Sequence, residues 1–229
     1  MIRAVLFDLD DTLYREDDFA CSGFGAVAQE LESRGVGRAA ALHGMLASIH
    51  VTEGREHVLD KLAARLNFPG DWVPGLVERY RAHVPTITLA PDAVRALARL
   101  RGRYRLGCVT NGWAAVQRRK IAALGLGTLL DAIVVADDHG RRHWKPSPLP
   151  FLHCCRLLGV SPAESVHVGD DPERDVRGAR NAGIASVRVR REPADCPDDA
   201  RPACEVLSLD ELERVLDDLN RAGPAARRD

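Results

Sequence analysis

Two carboxylates stand where the first apolar run ends. Ala4-Val5-Leu6-Phe7 has the pattern of a buried strand, and it stops at Asp8-Leu9-Asp10-Asp11-Thr12-Leu13. On a strand, residues i and i+2 point to one side, so Asp8 and Asp10 face one cleft. Like charges at that spacing repel unless a cation, a proton or a substrate relieves them. The chemistry this suggests is metal-assisted nucleophilic attack. The plainer alternative is a strand ending in a solvated acidic turn, with Asp11 or Thr12 capping the next segment.

Other polar residues stand where apolar segments end. Thr110-Asn111-Gly112 comes after Leu106–Val109, and Gly169-Asp170-Asp171 after Val166-His167-Val168. Lys145-Pro146 precedes Phe151 and is expected to open a helix. In an open parallel sheet, ligands bind outside the carboxyl ends of the strands. Segments far apart in sequence would thus bring Asp8, Asp10, Thr110, Lys145 and Asp170 to one edge. The only lysines are Lys61, Lys120 and Lys145, which gives Lys145 weight. Its alternative is an exposed residue ahead of a Pro-started helix.

The elements that must position these residues are legible as apolar periodicity. Strand-length runs recur at 4–7, 105–109, 132–135, 165–168, 185–189 and, weakly, 204–207. Helical faces lie between them: Val94/Leu97/Ala98, and Phe151/Leu152/Cys155/Leu158. Alternating strands and helices predict an α/β fold with a doubly wound parallel sheet. Residues 15–88 break the alternation. Their faces are Phe24/Val27/Ala28/Leu31, Leu42/Leu46/Ile49, Leu59/Leu62/Ala63/Leu66 and Val73/Leu76/Val77/Tyr80, with no strand among them. They predict a small inserted helical domain; the alternative is an extension of the core's outer layer. The core domain is expected over 1–14 and 89–224, with a frayed tail at 225–229.

A chain of 229 residues fits one domain carrying an insertion. A net charge of −1 offers nothing to nucleic acid or an anionic membrane. No apolar stretch is long enough to span a bilayer, and no signal-peptide pattern opens the chain, so a cytoplasmic location is expected. The cysteines at 21, 108, 154, 155, 196 and 204 form no C-x-x-C pair. They read as small buried hydrophobes in a reducing compartment. Nothing assigns an oligomeric state.

The polar set resembles the four motifs of the haloacid dehalogenase-like superfamily. These are D-x-D-x-T at Asp8–Thr12, a strand-ending Thr at Thr110, a Lys before Pro at Lys145, and Gly-Asp with a further acid at Asp170 and Asp175. The resemblance covers residues 1–14 and 89–190, and the insertion resembles that superfamily's helical cap. It implies an Mg2+-dependent phosphatase acting on a small phosphorylated metabolite. Asp8 would be the nucleophile and Asp10 the acid and base. Asp8, Asp170 and the Asp10 carbonyl would bind Mg2+. Thr110, Asn111 and Lys145 would hold the phosphate, with Asp175 and Asp171 in support. An acid role predicts a raised pKa for Asp10, through burial and neighbouring carboxylates. Asp171, before Pro172, reads better as a helix cap than as a ligand. Asp137 and Asp138 read as solvated loop acids, and Trp144 either contacts substrate or packs over its loop. The superfamily's dehalogenases generally lack the second Asp of the first motif, because a halide leaves without a proton. A 2-haloacid dehalogenase and a phosphomutase stay as alternatives. Flavin mononucleotide, riboflavin-pathway, nucleotide and sugar phosphates all stay open as substrates. Arg15, His50, Arg55 and His57 are candidate contacts in the insertion.

Overall fold

The computed structural model describes residues 1–190 and 201–222. The expected tail at 225–229, and Cys196, lie outside them. The chain divides into two compact units, one of Met1–Arg15 with Thr88–Asp229 and the other of Glu16–Ile87.

The Glu16–Ile87 unit is helical: α1 (Glu16–Ser33), α2 (Ala39–Glu53), α3 (Val58–Leu66) and α4 (Val73–Ala82). Its core joins Phe24, Val27 and Leu31 of α1 to Leu42, Leu46 and Ile49 of α2, Leu62 of α3 and Leu76 of α4. These are the positions that the 3.6-residue period marks, one stripe per helix.

The other unit holds a parallel sheet of β1 (Ala4–Phe7), β2 (Arg105–Thr110), β3 (Ala132–Val135), β4 (Ser165–Gly169), β5 (Ala185–Val189) and β6 (Cys204–Val206). The strand order is β3-β2-β1-β4-β5-β6, and every pairing is parallel. The chain builds outward from β1 to β3, returns to β1's free side and builds outward again to β6. The reversal leaves its crevice at the carboxyl ends of β1 and its neighbours, where such sheets bind ligands. All of β1 is buried. Ala4 and Leu6 pack with Phe151 and Cys154, while Val5 and Phe7, pointing the other way, are equally enclosed. Strands covered on both faces carry continuous apolar runs, which makes them legible in the sequence. β2 and β4 each run one residue further than the apolar pattern, taking in Thr110 and Gly169.

Helices α5 (Pro91–Leu100), α6 (Ala114–Ala123), α7 (Leu149–Leu158), α8 (Gly178–Asn181) and α9 (Leu212–Ala222) complete this unit among the described residues. Two helix faces differ from expectation. In α5 the buried stripe is Ala93, Ala96, Leu97 and Leu100, and Val94 is 51% exposed. In α7 it is Phe151, Cys154, Cys155 and Leu158, and Leu152 is 41% exposed. The smaller Cys154 is chosen because α7 lies close over β2: a Cβ on Gly107 would stand 2.7 Å from Cys154 Sγ. Cys108, Cys154 and Cys155 are buried, and burial pushes all three thiols up. Cys21 is exposed. No described helix is long and apolar enough to cross a membrane.

Candidate active site

The turn after β1 sets the first carboxylates. The Asp8 N–H bonds the Val168 carbonyl of β4 at 2.8 Å. Asp11 then takes a left-handed conformation, φ +54°, which Asp tolerates better than most residues. The chain doubles back so that the Leu13 N–H reaches the Leu9 carbonyl at 3.0 Å. Thr12 is fully buried, and its hydroxyl lies 3.5 Å from Asp170 Oδ1. Thr12 is thus part of the site wall and Asp11 part of the turn.

Lys145 is the hub. It is buried, not exposed ahead of a helix, and α7 begins further on, at Leu149. Its Nζ donates to Asp8 Oδ1, to Asp175 Oδ1 at 2.6 Å and to the Val109 carbonyl at 3.1 Å. Asn111 fixes its backbone on both sides: the Lys145 N–H donates to Asn111 Oδ1 at 2.8 Å, and Asn111 Nδ2 donates to the Lys145 carbonyl at 3.0 Å. The Asn111 amide therefore aims at Lys145, and its main-chain carbonyl accepts from Gln117 Nε2.

Asp175 is equally enclosed. Its Oδ1 also accepts from His167 Nε2 at 3.0 Å, and its Oδ2 from the Asp171 N–H at 3.1 Å. Burial would raise its pKa, but the Lys145 ammonium and these donors hold it well below the carboxylate range. Burial pushes His167 down, toward the neutral ring, against the pull of Asp175. Lys145 is raised, because Asp175 and Asp8 outweigh its own burial.

Gly169 makes room for this arrangement. A Cβ there would lie 2.5 Å from Asp175 Oδ2. We expect Gly169→Ala to cost about 1–3 kcal/mol, as overpacking does. Urea unfolding checks this, and an unchanged midpoint would contradict it.

Asp8 and Asp170 are short of positive charge. Asp8 is raised well above the carboxylate range by burial, with Asp175, Asp170 and Asp10 adding to it and Lys145 opposing. Burial, Asp175 and Asp11 push Asp170 up to about 7. Oxygens of Asp8, Asp170 and Asp175 lie within 4.8 Å of one another. Asp175 is already engaged by Lys145, His167 and a backbone N–H. Asp8 and Asp170 are the pair that a hard divalent cation would suit, since such ions take oxygen ligands.

Asp10 differs from expectation. Its Oδ1 accepts from Lys120 Nζ at 2.6 Å and from the Tyr14 hydroxyl, and its Oδ2 from Gln117 Nε2 at 2.7 Å. Burial alone would raise its pKa, but the Lys120 charge and these hydrogen bonds lower it instead. The expected raised value fails because a buried cation stands beside it. Sequence reasoning gives no role to Lys120, Gln117 or Tyr14. The scarcity of lysine is a signal for Lys120, but the run Arg118-Arg119-Lys120 looks like a solvated face.

Thr110 is fully buried. Its hydroxyl donates to the Asn111 carbonyl at 3.2 Å and accepts from Gln117 Nε2 at 3.0 Å. Asp171 is a cap: its Oδ1 accepts from the Arg174 N–H at 2.7 Å, ahead of the π-helical turn Pro172–Arg177. Asp137 is not a solvated loop acid. It accepts from the Ala114 N–H at 2.9 Å and from Trp144 Nε1 at 3.1 Å. The Arg141 guanidinium lies 4.1 Å over Trp113 and 5.4 Å over Trp144. Trp144, the residue before Lys145, thus packs within its loop. Asp138 is exposed and pairs with Arg118 at 2.6 Å. In the helical unit, Arg55 pairs with Glu16 and Asp17 at 3.0 and 3.1 Å, and His50 with Asp17 at 3.0 Å. His57 is exposed beside Asp60, and Arg15 is exposed.

A family model described as haloacid dehalogenase-like hydrolase matches residues 2–183. The chain is 32% identical to a glyceraldehyde 3-phosphate phosphatase of Methanopyrus kandleri, over 96% of this chain and 99% of that one. It is 30% identical to the human N-acylneuraminate-9-phosphatase, over 81% of each. Among solved structures, a 2-haloacid dehalogenase from Pseudomonas syringae pv. Tomato is similar, with TM-score 0.67 and 26% identity over 95% of this chain and 99% of that one.

Proposed function

Because this chain belongs to the haloacid dehalogenase-like hydrolases, we propose that it is an Mg2+-dependent phosphatase of a small phosphorylated metabolite. The observation that carries the reading is the buried Lys145 ammonium, joined to Asp8 and Asp175 with Asp170 alongside. A phosphate monoester is a dianion, and an anionic nucleophile reaches it only where positive charge is already placed. The names of both relatives support the substrate class.

Asp8 and Asp170, with the Asp10 carbonyl, would hold Mg2+, and Asp175 would serve as counter-ion to Lys145. When bound, the metal neutralises charge on the carboxylates and the phosphoryl oxygens. In the first step an Asp8 oxygen bonds to phosphorus in line. The bond from phosphorus to the leaving oxygen breaks, and that oxygen takes a proton from Asp10. In the second step water attacks phosphorus and gives its proton to Asp10. The bond from phosphorus to Asp8 then breaks. Lys145 and Thr110 hold phosphoryl oxygens, and the Glu16–Ile87 unit acts as the substrate-selecting cap.

Dehalogenation fits less well. A halide leaves without a proton, so it gives no use to a second Asp held by three side-chain donors. The test is phosphate release from a panel of triose, sugar, nucleotide and flavin phosphates, with and without Mg2+, beside halide release from 2-haloacids. Mg2+-dependent phosphate release supports the reading; halide release alone would end it.

Metal binding has its own readout. We expect Mg2+ at about 100 times its Kd to raise the unfolding free energy by about 2.7 kcal/mol. Asp170→Asn should lose that gain. Wild-type melting indifferent to Mg2+ would remove the metal from the account.

A further inference from the structure

We propose that Lys120, with Gln117 and Tyr14, is a positioning residue that aims the Asp10 carboxylate for proton transfer, an inference that rests on the phosphatase reading. An Asp carboxyl turns about a soft, two-fold torsion, so nothing in the residue itself fixes the plane of its oxygens. Here both oxygens are fixed from outside. Lys120 and Tyr14 hold Oδ1, and Gln117 holds Oδ2. The donors come from two directions: Tyr14 from the turn after β1, and Gln117 and Lys120 from α6. Residues three apart on a helix share a face. That face is turned inward, since Gln117 is 2% and Lys120 4% exposed. A lysine is almost never so buried unless it is paired.

The same Gln117 nitrogen that holds Asp10 also donates to the Thr110 hydroxyl at 3.0 Å. One amide therefore sets the proton-transfer carboxylate against the hydroxyl proposed to hold phosphate. The turn before α6 is shaped to admit it. Gly112 has φ +121°, and a Cβ there would lie 2.7 Å from Gln117 Nε2. In this arrangement Lys120 works through Asp10, while Lys145 serves Asp8.

A merely structural ion pair would make the same contacts, so the test separates the two roles by leaving group. An alkoxide needs a proton to depart, whereas p-nitrophenolate leaves without one. The variants are Lys120→Met and Tyr14→Phe; the second keeps the charge and removes one donor. kcat/KM is measured for p-nitrophenyl phosphate and for an alkyl phosphomonoester that the wild type turns over, with near-ultraviolet circular dichroism confirming the fold. We expect Lys120→Met to lose about 100-fold on the alkyl substrate and less than about 5-fold on p-nitrophenyl phosphate, the scale of general acid catalysis. Tyr14→Phe should show a smaller loss with the same selectivity, and it decides the matter if Lys120→Met does not fold. Equal losses on both substrates, or none on either, would overturn the proposal while leaving the phosphatase reading intact. A wild type that releases phosphate from neither substrate class would end both.

Discussion

Asp8→Asn should lower kcat by at least about 10⁴-fold, the scale on which removal of a covalent nucleophile acts, with the protein still folded. The amide matches the carboxylate in shape but cannot attack phosphorus. The fold should tolerate the change, because Asp8 is an electrostatic burden where it stands. Burial and the carboxylates of Asp175, Asp170 and Asp10 all disfavour its charge, and Lys145 opposes them. Removing that charge leaves Lys145 its bond to Asp175 at 2.6 Å. We therefore expect a melting temperature equal to or above wild type. Phosphate release and thermal melting on one preparation check both halves. An active variant would displace Asp8 as nucleophile, and an unfolded one would give it a structural role.

Lys145→Met should instead damage the fold itself. Breaking a buried ion pair by removing one partner costs about 3–5 kcal/mol, because the other charge stays buried and uncompensated. Two carboxylates lose their cation here, Asp8 and Asp175. The sign of the change sets its pH dependence. Without Lys145, both carboxyl groups gain pKa in the folded state relative to wild type. A folded-state pKa raised in this way gives stability that is present at low pH and lost as pH rises through it. The deficit against wild type should thus be smaller near about pH 5 than near about pH 8. Adding Asp175→Asn to the variant should recover part of the loss, since it removes one stranded charge. Urea unfolding at both pH values measures this, and a deficit that grows toward acid would contradict it.

The two ends of the site are unequally legible in the sequence. Asp8, Lys145 and Asp170 stand beside apolar strand runs or next to Gly and Pro, so residue type and punctuation expose them, whereas Asp175, between Arg174 and Val176, is reached only through the motif it completes. The strands themselves can be read because both faces are buried. The Asp10 side is hidden. Gln117 and Lys120 lie on a helix whose intervening residues are charged, and no periodicity separates a buried lysine there from a solvated one. That distinction needs the packing of α6 against the turn after β1, which is tertiary. The shifted faces of α5 and α7 have a related cause. Val94 and Leu152 fit an apolar stripe as well as their neighbours do, and the choice falls to close contacts such as Cys154 over Gly107. The helices of Glu16–Ile87 are plain, because each buries apolar residues at helical spacing and no strand-length run interrupts them.

The claim on which the rest depends is that an oxygen of Asp8 becomes bonded to phosphorus during turnover. Acid-quenching the reaction in steady state, reducing with borohydride and sequencing the N-terminal peptide by mass spectrometry tests this directly, because reduction turns an acyl phosphate into an alcohol. The account predicts homoserine at residue 8 in the presence of substrate and Mg2+, and aspartate there without substrate. Unreduced Asp8 in an enzyme turning over substrate, or reduction at another carboxylate, would contradict it.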